Sequence, residues 1–118
     1  MKLSMTKIYK FQDDISVDAL KELQKHSSLA VDTEGSGLQI PHRDRLSLIQ
    51  FSTGNNDAYI IQPNPKSYKA PNIVKILENP KITKIGHYLR YDISAVEYFL
   101  KCNVVNIFDT KLASKLCR

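Results

Sequence analysis

The stretch LAVDTE at residues 29–34 decides the fold, because it joins a continuous apolar run to two carboxylates. Three apolar residues in a row are typical of a strand at the centre of a sheet, covered on both faces. The polar end of this strand then emerges at the edge of the core. Side chains two positions apart in a strand point to the same side, so Asp32 and Glu34 project together while Thr33 faces away.

Two carboxylates held this close at the end of a buried strand repel each other unless something neutralises them. A divalent cation is the simplest neutraliser, and oxygen ligands suit such ions. The more ordinary explanation is an acidic strand end followed by a glycine turn, and an isolated D-x-E usually means no more than that. The pair alone therefore leaves both interpretations open.

The segments around this strand alternate between helical and extended patterns. Helices are predicted at residues 16–26, from Pro71 to a stop at Pro80, and at 89–101. Strands are predicted at 46–52, 58–62, 82–85 and 104–108, and TGNND at 53–57 forms a turn between the first two of them. The order predicts an α/β fold, in which three meander strands and then two strands alternating with helices build a mixed sheet.

Composition fits one domain spanning residues 1–118, with 42% hydrophobic and 25% charged positions. Seventeen basic residues against twelve acidic ones give a net charge of +5, which is compatible with a polyanionic partner and equally with an ordinary solvated surface. The sequence shows no leader pattern, no apolar run of membrane-spanning length and no C-x-x-C pair. We therefore expect no membrane association and a reducing, cytoplasmic location.

A third carboxylate follows the predicted strand at 82–85. In KIGHYLRYD, residues 84–92, the strand gives way through a Gly-His turn to a helix that carries Asp92 near its start. An acidic residue at that place is favoured by the helix dipole, which is a sufficient structural explanation. His87 is likewise more often a packed or turn-stabilising histidine than a ligand.

Taken together, these motifs resemble the ribonuclease D family of DEDD-type 3′-5′ exonucleases. The resemblance runs through VDTE (31–34), GL (37–38), PHRDRLSLIQ (41–50), KIGHYLRYD (84–92) and DTKLAS (109–114), which occur in the family's order. It implies a ribonuclease H-like mixed sheet. It also implies that the chain is truncated at the C-terminus and lacks the C-terminal helices of the exonuclease domain.

The resemblance implies metal-dependent chemistry. Asp32, Glu34 and Asp92 match three of the family's four metal-binding carboxylates, which hold two Mg²⁺ or Mn²⁺ ions for phosphodiester hydrolysis. The fourth acid, together with a tyrosine or histidine that orients the attacking water, would lie downstream of residue 118. Asp109 matches a further family position outside this quartet, and its sequence context is that of a helix N-cap.

The implied substrate is the 3′ end of single-stranded RNA. Candidate phosphate contacts are Arg43, Arg45, Lys84, His87 and Arg90, and for each of them a solvated surface position is an equally good explanation.

Three functions remain open. The chain could be a 3′-5′ exoribonuclease, a catalytically impaired remnant that only binds single-stranded nucleic acid or metal, or a small α/β domain used for protein contacts. The missing helices predict exposed apolar surface, and hence self-association or pairing with a complementary C-terminal fragment.

Overall fold

The computed structural model describes residues 7–35 and 45–110, which form a six-stranded sheet and three helices. In chain order the elements are β1 (Lys7–Gln12), α1 (Val17–Leu23), β2 (Ser28–Gly35), β3 (Leu46–Ser52), β4 (Asp57–Gln62), α2 (Pro71–Leu77), β5 (Thr83–Gly86), α3 (Leu89–Leu100) and β6 (Ile107–Asp109).

The sheet has the strand order β1-β4-β3-β2-β5-β6. Strands β2, β3 and β4 form an antiparallel meander, whereas β1 on β4, β5 on β2 and β6 on β5 pair in parallel. The predicted mixed sheet and its meander are confirmed. The last strand was predicted at residues 104–108. In the structure it is shorter and lies later, at residues 107–109.

Strand β1 was not predicted. It lies at the edge of the sheet, and every residue in it except Phe11 is exposed. An exposed edge strand buries too little to need an apolar face, so its sequence carries only a weak alternating pattern. The strand is nevertheless attached to β4 by an aromatic contact, because the ring of Tyr9 stacks 4.8 Å from that of Tyr59.

The helices begin as the sequence indicates, with one difference in how they are capped. Ser16 caps α1 by accepting a hydrogen bond from the Ala19 amide at 3.1 Å. Pro71 opens α2, but the residue before it is Ala70, whose methyl group cannot cap a helix. The carboxylate of Asp14 does so instead, because it accepts the amides of Asn72 (2.9 Å) and Ile73 (3.0 Å).

The core lies on one face of the sheet. Leu29 and Val31 of β2 are buried in the same cluster as the buried faces of all three helices, whereas Ala30 between them is exposed. The prediction that this strand is covered on both faces is therefore wrong for the described residues, because their helices all pack on one side. The opposite side, here called the open face, carries Ala30, Asp32 and Glu34.

No helix within residues 7–35 and 45–110 is long and apolar enough to cross a lipid bilayer.

Candidate metal and nucleic-acid site

Asp32 and Glu34 lie on the open face near the end of β2, and both are exposed. The amide of Thr33 donates a hydrogen bond to Asp32 Oδ1 at 3.0 Å, which orients that carboxylate. Asp32 pairs with Gln50 of β3 and, together with Ser52 and His87, lines a hollow of about 270 Å³. Ala30, Val31, Ile85 and Gly86 complete its lining.

Asp92 reaches the same strand end from α3. It lies in the first turn of the helix and is half-buried. Its Oδ1 accepts a 2.6 Å hydrogen bond from the hydroxyl of Thr33, the residue between the two strand carboxylates. Burial raises the pKa of Asp92, the Thr33 hydrogen bond opposes that rise, and the negative charges of Asp32 and Asp109 add to it. The charges of Asp32 and Asp92 are thus close enough to affect each other, although the residues are distant in sequence.

The structure brings these acids to one strand end without gathering them into a finished metal site. Within residues 7–35 and 45–110, no three histidine, cysteine, aspartate or glutamate side chains are grouped closely enough to hold an ion. The alternation of β2 explains this, since Thr33 holds the Asp92 carboxylate from the side opposite to Asp32 and Glu34. A shared site would require the Asp92 carboxylate to leave its hydrogen bond with Thr33.

The residues present fit a hard divalent cation. All three are carboxylates, and the two exposed ones have solvent-facing oxygen atoms. Burial is the main cause of the raised pKa of Asp92, and the negative charges of Asp32 and Asp109 add repulsion to it. A bound cation would relieve that repulsion, so the chemistry of the donor set and its electrostatics agree.

The turn from β5 into α3 is tightly packed against β2. A Cβ added to Gly86 would lie 2.6 Å from Leu89 Cδ1 and 3.0 Å from the Val31 carbonyl oxygen, so any larger residue would force Leu89 and the neighbouring strand to shift. Tyr88, the N-cap residue of α3, has a left-handed backbone with φ of 57°. Asp109 caps this helix through its carboxylate, which accepts the amides of Tyr88 (3.2 Å) and Leu89 (3.0 Å). Asp109 thus caps α3, while the helix that it was predicted to open lies in residues 111–118, outside the described part of the chain.

The predicted nucleic-acid contacts occupy different environments. His87 and Arg90 are exposed beside the start of α3, and His87 Nδ1 lies 3.1 Å from Thr110 Oγ1. Arg45 is exposed at the start of β3. Arg43 lies outside the described residues.

Lys84 corrects the prediction of a phosphate contact. Its side chain is fully buried, and Nζ donates to the carbonyl oxygens of Asn79 (2.7 Å) and Val105 (3.0 Å). These carbonyls follow α2 and precede β6, so the lysine joins two loops from inside the core. A buried ammonium group that is bonded to backbone oxygens cannot reach a phosphate. The burial of Lys84 could not be predicted from the sequence, because a lysine beside an exposed turn normally points to solvent.

Burial lowers the pKa of Lys84 to about 8 from its ordinary value of 10.5. Between these pH values the unfolded chain keeps a proton that the folded chain has lost, so the free energy of unfolding rises with pH there, by ~2–3 kcal/mol in total. Below pH 8 Lys84 is protonated in both the folded and the unfolded chain, so it no longer makes the free energy of unfolding depend on pH. Urea unfolding of the wild type and of Lys84→Met across pH 7 to 10.5 checks this, because the rise should be absent in the variant. Parallel profiles for the two proteins would show that the lysine titrates normally.

Three further residues near the candidate site were missed by sequence reasoning. Thr33 was expected only to face away from the acids, and its bond to Asp92 required knowledge of where α3 packs. Tyr88 and Tyr91 are 59% and 52% exposed and, with Arg90 and Ser94, line a shallow hollow of about 270 Å³ beside Asp92. Two tyrosines flanking an arginine within KIGHYLRYD were the available signal.

The chain matches the family model described as 3′-5′ exonuclease over residues 9–118. It therefore belongs to the 3′-5′ exonuclease family, of the DEDD type, and the resemblance noted from the sequence motifs is confirmed. Comparison with curated proteins gives no match to this sequence.

Solved structures with the same fold include two of NrnC from Brucella melitensis. The form with bound Mg²⁺ has a TM-score of 0.86 and 39% identity over 94% of this chain and 53% of NrnC. The form bound to pGG has a TM-score of 0.85 and 41% identity over 96% of this chain and 53% of NrnC. The chain thus spans about half the length of these NrnC chains.

Ribonuclease D of Escherichia coli, an exoribonuclease involved in structured RNA processing, shares the fold at greater distance. Its TM-score is 0.72 with 22% identity, over 92% of this chain and 29% of ribonuclease D. The ribonuclease H-like mixed sheet predicted from the sequence is confirmed by these structures. Members of this exonuclease family depend on divalent metal ions, as the Mg²⁺ in NrnC illustrates.

Proposed function

We propose that this chain provides the metal-binding acids of a 3′-5′ exonuclease that shortens single-stranded RNA. Residues 1–118 would then form one part of the exonuclease domain. The observation that carries the proposal is the 2.6 Å hydrogen bond by which Thr33, the residue between Asp32 and Glu34, holds the Asp92 carboxylate at the end of β2. In an exonuclease family, acids at this strand end have a specific use, whereas in a purely structural protein their repulsion would only destabilise the fold.

Asp32, Glu34 and Asp92 are the residues that would hold the metal, Mg²⁺ or Mn²⁺. When bound, two such ions activate a water molecule and stabilise the leaving 3′ oxygen in phosphodiester hydrolysis. The protein's own contribution is to fix the acids. The Thr33 amide orients Asp32, the Thr33 hydroxyl holds Asp92, and the packing at Gly86 sets where α3 starts. The complex of NrnC with pGG supports a nucleotide ligand for this chain.

The start of α3 suits one strand of RNA. Arg90 and His87 are exposed and would contact phosphate oxygens, with Arg43 and Arg45 as further basic residues. The exposed rings of Tyr88 and Tyr91 offer flat surfaces on which bases stack, an interaction worth about 1–3 kcal/mol per base. Phosphate contacts would then set affinity while stacking orients the strand end.

A 5′-labelled single-stranded RNA incubated with the protein and Mn²⁺ tests the proposal. We expect a ladder of products shortened from the 3′ end, and no shortening by Asp32→Ala. An RNA of the same sequence with a blocked 3′ end should resist cleavage. Equal product from the wild type and Asp32→Ala would remove the catalytic role of this strand end.

A second candidate is a protein that binds metal or single-stranded nucleic acid without cleaving it. It is favoured by the incomplete grouping of acids among the described residues. Mn²⁺-dependent binding of labelled RNA without any shortening would support it. Addition of a polypeptide corresponding to the second half of the domain would then distinguish a partial enzyme, which gains activity, from a pure binding protein.

The open face indicates a macromolecular partner as well. Ile8 and Phe108 on the two edge strands are 54% and 49% exposed, and Ala30 at the centre is exposed too. We propose that a complementary C-terminal segment of the exonuclease domain covers this face, since the chain has about half the length of NrnC. Without that segment, sedimentation velocity should show concentration-dependent self-association. A monomer at all concentrations would contradict the exposure of an apolar surface on the open face.

A further inference from the structure

Asp109 and Thr110 make four contacts with the turn that connects β5 to α3. The carboxylate of Asp109 accepts the amides of Tyr88 and Leu89 at 3.2 and 3.0 Å. Thr110 Oγ1 donates to the Gly86 carbonyl at 3.2 Å and lies 3.1 Å from His87 Nδ1. All four residues from Gly86 to Leu89 are therefore held by Asp109, the last residue of β6, and by Thr110, which follows it.

These contacts determine where α3 begins. The first amides of a helix lack intrahelical acceptors, and at α3 they depend on a carboxylate from another strand. Asp109 pairs with Gly86 in the sheet, so the cap is fixed to β5 and through it to β2. Asp92, one turn into α3, is thereby held in register with Thr33 of β2.

The Thr110 hydroxyl also determines how His87 is presented. With the hydroxyl proton donated to the Gly86 carbonyl, the Thr110 oxygen accepts a hydrogen bond from His87 Nδ1 in the tautomer that carries its proton there. In that tautomer Nε2 is available as an acceptor, and the ring lines the hollow that contains Asp32.

We propose that Asp109 and Thr110 are positioning residues of the metal site, acting through α3 on Asp92 and through the ring on His87. This inference rests on the proposed function, because it assumes that Asp92 is a metal ligand. Their substitution lowers Mn²⁺ affinity by displacing Asp92, not by removing a ligand. Supporting groups of this kind typically change metal affinity by 10–100-fold.

The molecule contains a matched control. Asp14 caps α2 as Asp109 caps α3, with two amides accepted at 2.9 and 3.0 Å. Helix α2 carries none of the proposed metal ligands. Asp14→Ala therefore removes the same kind of cap without touching the site, whereas Asp109→Ala removes a cap and displaces Asp92.

The experiment combines Mn²⁺ titration, followed by the electron paramagnetic resonance of the free ion, with amide hydrogen exchange in metal-free protein. For Asp109→Ala we expect about tenfold weaker Mn²⁺ binding and faster exchange at residues 88–92. For Asp14→Ala we expect a comparable loss of stability toward urea, faster exchange in α2 and Mn²⁺ affinity within about twofold of wild type.

Thr110→Val separates position from charge, because it removes the hydroxyl without changing any charge. It should weaken Mn²⁺ binding severalfold, while Thr110→Ser, which keeps the hydroxyl, should restore it. This pair also decides the matter if Asp109→Ala does not fold.

The outcomes distinguish this inference from the proposed function. If the wild type binds no Mn²⁺, the metal site fails, and unchanged exchange at residues 88–92 in Asp109→Ala and Thr110→Val would overturn the positioning role as well. If the wild type binds Mn²⁺ and both variants bind it equally well, the metal site stands and the positioning inference is wrong.

Discussion

Replacing both Asp32 and Glu34 with alanine abolishes specific Mn²⁺ binding and lowers any RNA-shortening rate by at least about 10³-fold. The metal supplies several kcal/mol of transition-state stabilisation in such hydrolyses, and each 1.36 kcal/mol corresponds to a factor of ten in rate. Both side chains are exposed, so the protein should remain folded. Isothermal titration with Mn²⁺ and the labelled-RNA assay measure the two effects.

The control for this experiment is Asp18→Ala with Glu22→Ala on α1. These two acids are exposed as well, and their removal changes the net charge by the same amount. A nonspecific attraction of Mn²⁺ to negative surface would weaken equally in both double variants. Comparable losses of affinity in the two proteins would therefore contradict a defined site at the end of β2.

Phe51→Ala lowers the free energy of unfolding by about 3–5 kcal/mol, which is a large part of the stability of a small domain. Phe51 is 0% exposed and lies in β3, between β2 and β4 and facing the helices. Its loss leaves a cavity directly behind the strand that carries the acids. Urea denaturation followed by circular dichroism gives the difference.

Phe108→Ala is the matched substitution, because Phe108 is 49% exposed in the edge strand β6. It should lower the free energy of unfolding by less than about 1.5 kcal/mol, since only part of the ring leaves an apolar environment. Similar destabilisation by the two substitutions would show that the core does not lie on the helical face of the sheet.

The sequence predicted those parts of the fold that depend on local pattern. Ser16, Pro71 and Pro80 mark helix ends by their own chemistry, and LAVDTE reads as a central strand because apolar runs of this kind are buried. Strand β1 lacks such a pattern, since its stability comes from pairing with β4 at the edge. The uncovered face of Ala30 also has no local signal, because it depends on what packs against the sheet from elsewhere in the chain.

The candidate site likewise has parts that follow from local sequence pattern and parts that depend on how distant elements pack. Asp32 and Glu34 were predictable from the alternation of a strand, and Asp92 from its motif. The 2.6 Å bond between Thr33 and Asp92 was not, because it depends on how α3 packs on β2. For Lys84 the local pattern gave a wrong prediction. This charged residue lies next to an exposed turn, but it is buried where two carbonyl oxygens accept hydrogen bonds from its ammonium group.

The most direct test of the metal site is crystallography of the protein soaked in MnCl₂, with data collected at a wavelength where manganese scatters anomalously. The account predicts an anomalous peak at the end of β2 within bonding distance of Asp32 and Asp92, with the Asp92 carboxylate turned away from Thr33. An ordered Asp92 still bonded to Thr33, with no peak beside Asp32 at saturating Mn²⁺, would contradict it.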